Sequence, residues 1–83
     1  VTVAAGLVAI VRFPRDNVPG PRVALVQAVR GDQALVAKWR GPFGGTRRWS
    51  RPRWVPVADI AREATAREAS VGMAIGPVPA RAA

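Results

Sequence analysis

Residues 23–39 read Val-Ala-Leu-Val-Gln-Ala-Val-Arg-Gly-Asp-Gln-Ala-Leu-Val-Ala-Lys-Trp, and this stretch decides the fold. Gly31-Asp32 is a two-residue turn between runs rich in Val, Ala and Leu, the pattern of an antiparallel hairpin. With those two residues as the loop, Arg30 faces Gln33, Val29 faces Ala34, Ala28 faces Leu35, Val26 faces Ala37 and Ala24 faces Trp39. Residues directly opposite share a sheet face. One face is then wholly apolar: Ala24, Val26, Ala28, Leu35, Ala37 and Trp39. The other holds Gln27, Lys38 and Arg40 among Val and Leu. A half-buried hairpin needs such a split, and a slip of one residue would reverse it. The spacing predicts that Val26, Leu35 and Trp39 are buried together and that Lys38 points to solvent.

On the N-terminal side, Val1 to Val11 is apolar and reads as a buried strand, with Gly6 as its break. At 11 residues it is short of the ~20 that a membrane span needs. It also lacks the basic flank of a secretory signal. Phe13 to Arg22 contains Pro14, Pro19, Gly20 and Pro21 and reads as a long loop. Beyond the hairpin, Gly41 to Thr46 is a glycine-rich loop, Thr46 to Trp49 a short strand and Ser50 to Arg53 a turn. Trp54 to Val57 is another strand, placed at a sheet edge by Pro56.

Ala58 to Ser70 changes character. It is rich in Ala, Glu and Arg, lacks Gly and Pro, and predicts a helix. Glu63 and Arg67 would form an i,i+4 pair, and Gly72 would cap the C-terminus. The expected architecture is mainly β. A small SH3-like or Tudor-like barrel of four to five short antiparallel strands spans 1–60, a C-terminal helix spans 58–71, and 72–83 is an extended or flexible tail. The alternative is a small α+β sheet with the helix packed across it.

Composition narrows the function. The 83 residues include 13 basic and 5 acidic side chains, for a net charge of +8. Hydrophobic residues make up 49 %, too many for a disordered polycation. Cys and His are both absent, which excludes Cys-His and Ser-His-Asp hydrolases and any His or Cys metal site. No Gly-rich phosphate loop is followed by Lys-Ser/Thr. The acids Asp59 and Glu63, one turn apart on the expected helix, read as charges that complement its dipole. No catalytic residue, cofactor, metal or small-molecule substrate is expected.

The charge is uneven. Residues 12–53 hold ten basic and two acidic residues, whereas 54–83 hold three of each. Between Arg40 and Arg53 there are five Arg and no acid, densest at Arg47-Arg48-Trp49-Ser50-Arg51-Pro52-Arg53-Trp54. Guanidinium groups pair bidentately with phosphate, and indole faces stack on bases. Trp49 and Trp54 serve equally well as core side chains, and the residue types alone leave both roles open. The loop after the first strand adds Arg12, Arg15 and Arg22, and the fold is expected to bring the two basic groups together. The candidate nucleic-acid contacts are therefore Arg12, Arg15, Arg22, Arg40, Arg47, Arg48, Trp49, Arg51 and Arg53.

Trp39-Arg40-Gly41-Pro42-Phe43 resembles the Trp-Lys-Gly-Pro-aromatic segment of retroviral-type integrase C-terminal domains. Trp54-Val55-Pro56-Val57-Ala58-Asp59-Ile60 is similar to their closing strand and short helix. The resemblance implies an SH3-like barrel that binds DNA with little sequence preference.

Together these readings predict a basic module that contacts the phosphate backbone of DNA or RNA, cytoplasmic or nucleoid-associated. A competing expectation is a structural subunit of a larger particle, a phage virion or ribonucleoprotein, ordered by neighbouring chains. A third, a peptide-binding adaptor, lacks the Tyr and acidic residues that such grooves use.

Overall fold

The structure, a computed structural model, describes residues 3–16, 20–39 and 49–79. Five strands form one sheet: β1 (Val8–Arg12), β2 (Pro21–Arg30), β3 (Gln33–Lys38), β4 (Arg53–Pro56) and β5 (Ile60–Glu63). Their order is β4-β3-β2-β1-β5, with every neighbouring pair antiparallel. A 3-10 turn, Val57–Asp59, joins β4 to β5, and one short helix, α1 (Ala66–Val71), follows. The protein is mainly β, as expected.

The 3-10 turn makes the sheet curl. The strands it joins are the two edges. In a flat sheet, four spacings of ~4.8 Å would hold those edges roughly 19 Å apart. Pro56 and Ile60 are four residues apart and span at most about 14 Å when extended, and less in a 3-10 turn. The edges must therefore come round toward each other. The concave face encloses one buried cluster: Ala9, Val11, Phe13, Ala24, Val26, Ala34, Val36 and Val55, with Leu7, Val57 and Ile60 packed against it.

The hairpin forms where expected. Gly31 has φ 59° and no other residue of the turn has a positive φ, as a Gly-first II′ loop requires. Three pairs hold as the sequence predicts: Arg30–Gln33, Val29–Ala34 and Ala28–Leu35. Gln27 then bulges out, and the pairs become Val26–Val36, Leu25–Ala37 and Ala24–Lys38. One extra residue flips every side chain beyond it. Ala34 and Val36 therefore join Ala24 and Val26 in the concave cluster, while Leu35, Ala37 and Trp39 fall on the other face, where Ala37 is fully buried and the other two half-buried. Leu35 is half-buried on the convex face, across from Trp54. Lys38 lies on the concave side and is held by Asp16 rather than released to solvent.

The convex face has its own covered patch. Ile10 and Val23 are paired across β1 and β2 and fully buried. The Trp39 N–H donates to the Val23 carbonyl at 2.8 Å, and the Val23 N–H donates to the Gly72 carbonyl at 3.1 Å. The C-terminal end of α1 is thus tied to the backbone of β2 beside this patch.

Three boundaries differ from expectation. The loop after β1 gives way to β2 at Pro21, where a missing N–H is tolerated at the first strand position. The strand expected over Val1 to Val11 begins at Val8, after a turn at Gly6 with φ 94°. The helix expected over Ala58 to Ser70 is confined to Ala66–Val71, because Ile60–Glu63 supplies the partner that β1 needs on its second side. Backbone pairing with β1 overrides helix propensity there. Thr65 starts α1 with a capping box: its Oγ1 accepts from the Glu68 N–H, and Glu68 accepts from the Thr65 N–H. Gly72 ends α1 at φ 81°, as expected of a C-cap. Gly76 to Pro79 lack regular structure, and the end of the expected tail, 80–83, lies outside the described residues.

Candidate nucleic-acid interface

Asp16 organises the basic residues that the structure describes. It sits in the turn after β1, near the mouth of the curled sheet. Its Oδ2 accepts from Lys38 Nζ of β3 at 2.8 Å, and its Oδ1 accepts from Arg53 Nη2 of β4 at 2.5 Å. Both cations also lie over the Phe13 ring, Arg53 at 4.6 Å and Lys38 at 5.4 Å from its centroid. Burial pushes the Asp16 carboxyl up, but the hydrogen bonds from Lys38 and Arg53 outweigh it and hold the group below its ordinary value.

This node draws the loop after β1 against β4. Arg12, Arg15 and Arg53 consequently line one cleft, together with Phe13, Pro14, Trp54 and the acids Asp16 and Asp59. The expected meeting of an early and a late basic group is present for these three arginines. Arg12 Nη2 is buried and has no hydrogen-bond partner. Arg15 and Arg51 are exposed. Arg22 stands across from Val11 on β1 and is bridged to Met73, apart from the cleft walls. Arg40, Arg47 and Arg48 lie outside the described residues, as do the Gly41 to Thr46 loop and most of the Thr46 to Trp49 strand.

The tryptophans divide by environment. Trp49 forms an isolated bridge with Trp39, and their rings meet at 4.8 Å between centroids with a 59° tilt. Both are half-buried. Trp54 instead keeps 44 % of its surface exposed on edge strand β4, and the Arg30 guanidinium lies 5.3 Å from its ring centroid. Sequence reasoning left Trp54 undecided and passed over Arg30. The signal was in the alternation of β4: with Val55 and Val57 turned inward, Trp54 and Pro56 must face out.

Asp59 and Glu63 are not on a helix. Asp59 is buried in the 3-10 turn, and Glu63 is exposed at the end of β5. Among the described residues no group of His, Cys, Asp or Glu could hold a metal ion, and no helix is long and apolar enough to cross a membrane. No protein-family model, curated protein or solved structure matches the chain.

Proposed function

We propose that the chain is a small SH3-like barrel acting as a non-enzymatic nucleic-acid-binding module, contacting phosphates with low sequence specificity. One observation carries the reading: Asp16 ties the loop after β1 to β4, so that Arg12, Arg15 and Arg53 line one cleft beside an exposed indole. The Arg-rich segment that holds Arg40, Arg47 and Arg48 runs directly into Arg51 and β4. The strand order β4-β3-β2-β1-β5 and the short 3-10 turn between the two edge strands support the barrel reading. A cytoplasmic or nucleoid location follows from this function.

The test is a salt titration of binding to single-stranded and duplex oligonucleotides. Affinity should fall with salt, and Arg15→Ala or Arg51→Ala should each flatten log K against log salt by ~0.7–0.9. A folded wild type with no salt-sensitive affinity for either form would refute the reading. A second reading, a structural subunit of a virion or ribonucleoprotein, is favoured by the exposed apolar side chains Val71, Met73 and Ile75.

A further inference from the structure

We propose that Trp54 is a stacking platform for an unpaired nucleobase, which makes single-stranded nucleic acid the preferred ligand. The inference rests on the nucleic-acid reading above and adds a strand preference to it. Three observations converge on this side chain. An indole 44 % exposed on an edge strand leaves a large apolar surface in water. The Arg30 guanidinium lies over one face of the ring, 5.3 Å from its centroid, and adds a planar cationic group to the same surface. Trp54 is also among the residues that line the cleft shared by Arg12, Arg15 and Arg53, while its ring turns to the outer face of β4.

The chemistry separates the two strand states. Every base has a π face, but in a duplex that face is covered by its neighbours. Only an unstacked base can cover Trp54, while phosphates are offered by both forms. Asp16 and Asp59 share the cleft walls; Asp16 is already engaged by Lys38 and Arg53. The same arrangement takes DNA or RNA.

The experiment measures binding of the whole chain to oligothymidylate, oligouridylate and a duplex, at two salt concentrations. Trp54→Ala, Trp54→Leu and Trp54→Phe are compared with wild type. Leu preserves apolar bulk against Leu35 without a π face, so a fold defect in the Ala variant does not decide the matter. The Leu variant should bind both single strands ~5- to 150-fold more weakly, with duplex affinity nearly unchanged, and Phe should restore much of the loss. Loss on one single strand alone would assign the ligand as DNA or RNA and support the platform. Equal losses on single strand and duplex, or no loss, would overturn the stacking role and leave phosphate binding standing. Wild type that binds none of the three would overturn the nucleic-acid reading itself.

Discussion

The carboxylate of Glu68 on α1 grips the guanidinium of Arg62 on β5 with both oxygens, Nη1 donating to Oε1 at 2.5 Å and Nη2 to Oε2. Two backbone N–H groups, from Thr65 and Ile75, donate to the same carboxylate at 3.0 Å. Glu68 is only 2 % exposed. Four donors satisfy a buried charge that would otherwise be costly. A helix of six residues cannot stand alone in water, so this grip and the packing at Gly72 hold α1 to the sheet.

The Thr65 cap tests that account. Thr65→Ala removes the acceptor for the Glu68 N–H and should destabilise the fold by ~0.5–2 kcal/mol. Thr65→Ser keeps the oxygen and should recover most of this. Urea unfolding of the three proteins measures it, and equal midpoints would show that α1 adds nothing to global stability.

Acid should loosen the same junction. The hydrogen bonds from Arg62 and Thr65 hold the Glu68 carboxyl far below the usual carboxylate range. Asp16 is shifted in the same direction. A carboxyl with a lowered folded pKa stabilises the fold above its unfolded pKa, and that stability is lost as pH falls toward the folded value. The melting temperature should be level above about pH 5 and decline below it. Glu68→Gln should lower the plateau and make the acid decline shallower. A wild-type melting temperature that stays level down to pH 3 would contradict the assignment.

Gly72 is required for two reasons that a substitution can separate from a turn effect. Its φ is 81°, and a Cβ there would sit 2.6 Å from Trp39 Cδ1. Gly31 has a positive φ too, but open space around it. Gly31→Ala should cost only the left-handed backbone penalty, ~1–2 kcal/mol. Gly72→Ala should cost that and a further ~1–3 kcal/mol of overpacking against the indole. Chemical denaturation ranks the two, and an equal cost would mean that Trp39 can move aside.

Ile10 and Leu35 show how much of the core the sequence made legible. Alternation and the Gly31-Asp32 turn located the hairpin, and three of its pairs, because Gly and chain symmetry fix the register near a loop. Further out, residues 23–26 and 34–37 are apolar at both parities, so nothing marked the bulge at Gln27 or chose between Leu35 and Val36. Ile60–Glu63 carried helix-forming residues and became a strand only because β1 lacked a partner, which is a property of the assembled sheet. The candidate site was legible as a charge pattern. Its Asp16 node was not, since Asp16 and Arg53 are 37 residues apart. The revised core gives an ordering: Ile10→Ala should cost ~2–5 kcal/mol, and Leu35→Ala clearly less because its side chain is half-buried. The reverse order in urea unfolding would restore the unbulged hairpin.

Asp16 offers the sharpest separation of stability from binding. Asp16→Asn removes the charge that engages Lys38 and Arg53 while keeping nearly the same shape. Each partner is partly exposed, so each lost ion pair should cost only ~0.2–1 kcal/mol. The net charge rises from +8 to +9 by loss of one negative charge. If the cleft contacts phosphate, Lys38 and Arg53 become free to engage it. Each cation so engaged should steepen log K against log salt by ~0.7–0.9. The variant should therefore be less stable and bind nucleic acid more tightly at low salt, a pairing that general damage to the fold cannot produce. Thermal melts beside salt titrations on a single strand and a duplex measure both quantities. A folded Asp16→Asn protein with unchanged or weaker binding would show that the cleft is a structural tie rather than a phosphate-facing surface.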